Sequence, residues 1–414
     1  MRLARRTSPF ALALLLAACA GAEGDDAGES ASDSSGTTAT SSDTAATETG
    51  STGDIGGSES EGESESGYEG IGCDGAELLT IPEDPALAGP WPVGARTVTL
   101  AGRTTEIWYP AMAGSEAGLE LARYDIRQHL PEDEQGKIPD EANPYQDCDC
   151  FRELALDAEH GPYPVVLFIH GTAGFRSQSL TFMTHWASRG FVVVASDHDG
   201  ITLADVLGGT LSADQAGDAG KVLDALEAGG GEVAFLDGHL DTARIGMAGH
   251  SAGGSAIAGF GGRAQVLIPM AAGGASAGAA LRSTLVLGAM DDAIVQYGSQ
   301  KSGYDSAAPS KRLLGLSGAG HLAFSDLCTL AADQGGILQV ALDYGVDVPE
   351  FLIPLASDGC GDGFLAPEIG FTITNAATAA ALHETLHCAP WGAAALSGLA
   401  EAYPEVGEYA EVLE

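Results

Sequence analysis

Residues 244–256 read Arg244-Ile245-Gly246-Met247-Ala248-Gly249-His250-Ser251-Ala252-Gly253-Gly254-Ser255-Ala256. Arg244 to Ala248 has the apolar character of a buried strand, and the small residues after Ser251 have helical character. A serine on a tight turn from strand to helix takes an unfavourable backbone angle, and glycines on both sides relieve the crowding. That setting makes Ser251 a candidate nucleophile. The Gly-x-Ser-x-Gly pattern alone carries little. The chain holds 58 glycines and repeats the pattern at Gly274-Ala275-Ser276-Ala277-Gly278. The second copy sits in a loop of small residues and reads as filler. Only its strand-before, helix-after setting selects Ser251.

Working outward, apolar runs alternate with helical ones. Val165–Ile169 is a continuous apolar run, as a strand buried on both faces requires. Ser177–Arg189 has helical spacing, Phe191–Ala195 is the next strand, and Gln215–Ala228 is a helix ended by three glycines. Ala264–Pro269, Thr284–Gly288 and Arg312–Leu316 read as further strands, and Ala376–His387 as a terminal helix. This alternation predicts an α/β fold, a mostly parallel central sheet with helices on both faces. Arg96–Leu100 and Thr104–Tyr109 read as an opening antiparallel pair. Residues 111–162 lack periodicity and read as a surface insertion.

A serine hydroxyl needs a base, and the base needs an orienting acid. In such a fold the order is serine, acid, histidine, with the last two at later strand ends. Met290-Asp291-Asp292 follows one strand and supplies the acid. Gly318-Ala319-Gly320-His321 follows the next and supplies the base. An oxyanion needs two donors. One is the N–H of Ala252, at a helix N-terminus where the dipole favours negative charge. The other comes from His170-Gly171-Thr172-Ala173-Gly174, where the residue after His-Gly is Thr172. His170 and His250 read as packing and hydrogen-bonding residues, and His198 as part of a solvated loop.

These pieces together resemble the platelet-activating-factor-acetylhydrolase, dienelactone-hydrolase and cutinase-like polyester-hydrolase branch of the α/β hydrolases. Arg103 through Trp108-Tyr109-Pro110 is similar to its opening, and Ile169–Arg176 to its oxyanion segment. Gly249–Gly254 is similar to its elbow, Gly288–Ile294 to its acid motif, and Gly320-His321 with Phe324 to its histidine motif. The resemblance covers roughly 93–326 plus a terminal helix. It implies an α/β-hydrolase fold and a serine carboxylic ester hydrolase with no cofactor. It also implies Asp292, not Asp291, as the acid. The insertion and the cysteines depart from the branch, so the substrate stays open among small esters, lipids, lactones and polyesters.

The N-terminus reads as an export signal: Arg2, Arg5 and Arg6, then an apolar run from Phe10 to Ala18, too short to span a bilayer. It ends Leu16-Ala17-Ala18-Cys19, which resembles a bacterial lipobox and implies cleavage after residue 18 and a lipid on Cys19. Residues 19–72 are Ser, Thr, Gly, Ala and acid, too poor in apolar surface to offset their ordering entropy, and read as a disordered tether. Residues 73–414 are then the catalytic domain. The expected location is exported, on a bacterial outer membrane or cell surface, with membrane contact only through the anchor, as a monomer. The chain has 58 acids against 18 basic residues, a formal charge of −40. Such a surface repels phosphate backbones, which argues against nucleic-acid binding.

Besides Cys19, six cysteines remain: Cys73, Cys148, Cys150, Cys328, Cys360 and Cys388. An even number in an exported chain suggests three disulfides of open pairing. With one residue between them, Cys148 and Cys150 are expected to bond to different partners. Asp358-Gly359-Cys360-Gly361-Asp362 reads as a disulfide-held turn rather than a calcium loop.

Two rivals remain. His383-Glu384-Thr385-Leu386-His387 matches H-E-x-x-H, in which two histidines one helical turn apart grip zinc and the glutamate acts as base. It needs a third ligand; no histidine follows His387, a downstream glutamate such as Glu401 or Glu405 would have to serve, and the helix is expected to be peripheral. A surface adhesin would suit an anchor and tether but would leave the ordered Ser–Asp–His set without a purpose.

Overall fold

The computed structural model describes Cys73 and residues 76–414. The signal, Cys19 and the tether therefore lie outside the described residues. No helix among the described residues is long and apolar enough to cross a membrane.

The chain opens with an antiparallel pair, β1 (Val93–Leu100) and β2 (Arg103–Pro110). Two-residue strands β3 (Arg123–Tyr124) and β4 (Gln146–Asp147) pair with each other, and β5 (Phe151–Arg152) runs beside β1. Then come β6 (Tyr163–Ile169), β7 (Val192–Ser196), β8 (Leu240–His250), β9 (Val266–Met270), β10 (Ser283–Ala289), β11 (Lys311–Leu316) and β12 (Val406–Val412). The main sheet has ten strands in the order β12-β11-β10-β9-β8-β6-β7-β2-β1-β5. From β11 to β7 neighbouring strands are parallel, whereas β12 and the β1–β2 pair run antiparallel at the two flanks. This is the α/β-hydrolase architecture.

The alternation of side chains along β6 shows how the layers form. Val166 and Phe168 enter one core, and Val165, Leu167 and Ile169 enter the other. The first core is closed by helices Leu180–Ser188, Pro367–Leu386 and Trp391–Ala402, the second by Gln215–Ala228. Both faces of the parallel strands are thus buried, which is why they read as unbroken apolar runs.

Three expectations need correction. The helix read at Ala376–His387 begins at Pro367, and it is neither terminal nor peripheral. Ile373, Ala377, Ala380 and Leu382 are fully buried in it, and a further helix and β12 follow. Cys148 and Cys150 bond to each other, because the chain folds back and brings their Cα atoms to 5.0 Å, within the span of one disulfide. The other pairs are Cys73–Cys388 and Cys328–Cys360. The 111–162 insertion is not confined to the surface. Ala122, Tyr124, Ile126, Cys148 and Cys150 are buried in the first core.

Candidate active site

Ser251, Thr172, Asp292 and His321 all follow the carboxyl ends of parallel strands: β8, β6, β10 and β11 respectively. From β6 the chain steps to β7 on one side and then to β8 on the other. Open α/β sheets leave their ligand crevice at such a reversal.

Ser251 sits at φ 58°, ψ −120°, a backbone region that non-glycine residues enter only when the surroundings force them. Its N–H donates to Met270 O at 2.9 Å, and its carbonyl accepts from Ser255 N at 3.1 Å. The flanking glycines are required by contact. A Cβ on Gly249 would lie 2.4 Å from Gly253 O, and one on Gly253 would lie 2.1 Å from Ile169 O. The glycines of the second Gly-x-Ser-x-Gly copy are crowded too, a Cβ on Gly274 lying 1.9 Å from Gly303 O, but that copy is on no strand-to-helix turn, and Ser276 is exposed in a loop.

The structure brings the three predicted side chains together. His321 Nε2 lies 2.9 Å from Ser251 Oγ, and His321 Nδ1 lies 2.8 Å from Asp292 Oδ2. Asp292 is buried and saturated with donors. Its Oδ1 accepts from Ile294 N at 2.8 Å and Val295 N at 2.7 Å, and its Oδ2 accepts from Gln300 Nε2 at 3.0 Å. Those bonds turn an Asp292 oxygen toward Nδ1 as an acceptor, so Nδ1 is the donor in that pair and the Nε2 lone pair faces the hydroxyl. Asp291 is exposed and takes no part. Among the described residues the Thr172 and Ala252 N–H groups find no acceptor, as donors kept for a ligand should.

A second ring of polar groups holds this chain. His250 Nδ1 accepts from Gln178 Nε2 at 3.1 Å, and His250 Nε2 donates to His321 O at 2.8 Å. Burial drives the His250 pKa down to about 3, so the ring is neutral. His170 accepts at Nε2 from His198 N at 3.1 Å and donates at Nδ1 to Gly171 O at 2.8 Å, bracing the loop that carries Thr172. His198 is buried, not solvated. Asp326, also buried, accepts from Thr181 N at 3.0 Å and Gln146 Nε2 at 3.1 Å, and burial pushes its pKa up to about 6. Gln178, Gln300 and Asp326 carry no sequence signal, because a lone Gln or Asp in a helix or turn belongs to no motif.

Ser251, His321 and Thr172 open onto a cavity of about 110 Å³. Its far side is built from two segments. Leu130 and Ile138, from the insertion, pack against Val340 and Val346. Lys137 Nζ donates to Gly345 O at 2.9 Å, and Glu134 Oε2 accepts from Asp347 N at 3.2 Å, tying the segments together. The Cys328–Cys360 disulfide closes the base of the second segment. Asp358, beside it, accepts from Ala293 N at 2.8 Å through Oδ2. The predicted turn is thus a strut of the site.

The H-E-x-x-H segment is committed elsewhere. Glu384 makes a bidentate ion pair with Arg312 at 2.7 and 3.0 Å. His383 Nε2 accepts from Arg189 Nε at 3.0 Å, and the His383 and His387 Nδ1 atoms meet at 2.9 Å. Burial holds both histidines far below the usual imidazole pKa. With a guanidinium against one ring and the glutamate turned away, the motif serves packing rather than zinc. No cluster of three or more His, Cys, Asp or Glu side chains suited to a metal occurs among the described residues.

The family model described as Chlorophyllase matches residues 153–266, a span from the end of the insertion through the elbow. A solved ferulic acid esterase from Streptomyces cinnamoneus superposes with a TM-score of 0.54 at 20% identity, covering 73% of this chain and 92% of that one. No curated protein matches the chain. The sheet order, the elbow and the structural likeness agree: the chain is an α/β-hydrolase-fold protein.

Proposed function

We propose that this protein is a serine carboxylic ester hydrolase that works through an acyl-enzyme on Ser251. The observation that carries this reading is the unbroken hydrogen-bonded chain Ser251–His321–Asp292 on a strained strand-to-helix turn. The match to the chlorophyllase family model and the likeness to a ferulic acid esterase support ester hydrolysis as the reaction.

In this mechanism Ser251 Oγ attacks the ester carbonyl carbon while its proton passes to His321 Nε2. Asp292 holds Nδ1–H and stabilises the imidazolium. The Thr172 and Ala252 N–H groups take the oxyanion. The C–O bond to the alcohol breaks, and the alcohol leaves with the proton from Nε2. Water then gives a proton to Nε2 and attacks the acyl carbon. Collapse of the second tetrahedral intermediate returns that proton to Ser251 Oγ and releases the acid. No metal or redox cofactor enters the steps.

A fluorophosphonate probe tests the reading. It should label the parent protein on Ser251 and leave Ser251→Ala unlabelled, and p-nitrophenyl acetate hydrolysis should vanish with the label. Parental turnover in Ser251→Ala would end the proposal.

We also propose that residues 1–18 direct export, that Cys19 carries a lipid, and that residues 19–72 tether the catalytic domain, residues 73–414, to a bacterial cell surface. The basic start, the short apolar run, the Leu-Ala-Ala-Cys ending and the polar, acidic composition after it support this. Mass spectrometry of the mature N-terminus tests it, with a diacylglyceryl mass on Cys19 as the expected result.

A further inference from the structure

The cavity beside Ser251 has one polar end and an aliphatic remainder. Ser251, His321, Thr172, His250 and Gln178 stand at one end, and the rest of the wall is almost wholly Leu, Ile, Val, Ala and Pro. Arg127 is the one charged side chain in the lining, and its guanidinium is fully engaged. Its Nη2 meets Asp125 Oδ2 at 2.6 Å, and Nη1 meets Asp140 Oδ1 at 2.7 Å and Ile138 O at 3.0 Å. No cation is left over to receive a carboxylate or phosphate on the substrate. The segment Cys328–Cys360, which forms much of the far wall, holds five acids and no Lys or Arg, so its net charge disfavours anions further.

Aromatic faces are also scarce. Phe175 is the one aromatic ring in the lining besides the two histidines, and it is stacked on His129 with centroids 4.1 Å apart. A wall of branched aliphatic side chains offers dispersion contact and removal of apolar surface from water, with no partner for hydroxyl or amide groups. A sugar or peptide placed there would lose its hydrogen bonds to water without replacement.

Resting on the esterase reading above, we infer that the substrates are uncharged esters bearing an aliphatic chain, which lies between the insertion and the Cys328–Cys360 segment. An aliphatic chain on the acid half and one on the alcohol half present the same chemistry to this wall, and the two substrate series below tell them apart.

The test uses the full-length protein and two substrate series, p-nitrophenyl esters from acetate to dodecanoate and alkyl acetates of matching length. Each methylene taken from water into the cavity should raise kcat/KM about three- to fourfold until the space is filled. Val340→Trp, in the Cys328–Cys360 segment, and Leu207→Trp, at the end of the short helix Leu203–Leu207, both in the cavity lining, should each lower the octanoate-to-acetate ratio about tenfold. Thermal melting checks that both variants are folded, and either one suffices. A rise in one series supports the inference and says which half of the ester carries the chain. Acetate hydrolysis with a flat or falling response in both series overturns the inference and leaves the esterase reading standing. So does a ratio unchanged in the folded variants. Loss of both acetate hydrolysis and fluorophosphonate labelling in the parent protein overturns the two together.

Discussion

The His250 ring donates from Nε2 to the main-chain carbonyl of His321 at 2.8 Å, while its Nδ1 accepts from the Gln178 side chain at 3.1 Å. The residue before the candidate nucleophile therefore grips the backbone of the candidate base. His250 is a positioning residue in this arrangement, since it acts on His321 rather than on the reacting atoms. His250→Leu removes a buried hydrogen bond and leaves the carbonyl of His321 unpaired, a loss of about 1–3 kcal/mol. We expect kcat to fall at least about tenfold with a smaller change in KM for p-nitrophenyl acetate, and His250→Gln, which keeps a donor, to recover part of it. Equal kcat values for the Leu and Gln variants would count against the role.

The two neighbouring aspartates should separate sharply. Asp292 accepts from His321, Gln300 and two backbone N–H groups, whereas Asp291 is exposed. Replacing an orienting acid by its amide presents a donor where the imidazole needs an acceptor, and costs on the order of 10⁴ in kcat. Asp292→Asn should show a loss of that size and Asp291→Asn almost none. A comparable loss from both would mean that the acid is misassigned.

Much of this arrangement was legible in the sequence because buried parallel strands write themselves as continuous apolar runs, and because the chemistry sits at their ends. Val165–Ile169 and Thr284–Gly288 were found within two residues of their observed bounds for that reason. The edge strand Val406–Val412 was not. It is half exposed and alternates small, charged and aromatic residues, so its run is neither apolar nor cleanly periodic. The start of the Pro367–Leu386 helix was hidden by β-branched Ile369, Thr372, Ile373 and Thr374, whose local preference is overridden by the packing of the helix through its buried face, which includes Ile373 and Thr374. The cavity roof is built from short turns over 126–144 and 337–356, and contact between segments two hundred residues apart has no sequence period at all.

Buried histidines should make the protein sensitive to mild acid. Burial lowers His129 and His185 to about 4 and His250 and His387 to about 3, each from 6.5. A folded-state pKa below the unfolded value means that the unfolded chain takes up the proton first. The stability these groups contribute is therefore complete above pH 6.5 and is lost as pH falls from there toward 4. Asp326 acts in the opposite sense. Its pKa is raised from 3.8 to about 6, so it costs nothing below pH 3.8, and its cost grows until about pH 6 and persists above. Four groups outweigh one, and Tm should climb from pH 4 to pH 6.5. Asp326→Asn should gain on the parent as pH rises over the same window, by about 3 kcal/mol between its ends. A Tm difference between Asp326→Asn and the parent that does not change with pH would sink the argument for Asp326.

The disulfides should differ in both stability and specificity. Cys148–Cys150 closes a loop with a sequence separation of 2, Cys328–Cys360 one of 32. On the chain-entropy account the longer loop is worth roughly 3–4 kcal/mol and the shorter one under about 2 kcal/mol. Paired Cys→Ser variants should therefore lose stability in that order, read by urea denaturation. Only the Cys328→Ser/Cys360→Ser pair loosens the segment that carries Val340, Val346 and Leu355 over Ser251. That variant should lose turnover of octanoate more than of acetate, while Cys148→Ser/Cys150→Ser keeps the parental ratio. An octanoate-to-acetate ratio equally lowered in both variants would mean that the roof is not held by Cys328–Cys360, and that its fit to the chain has some other source.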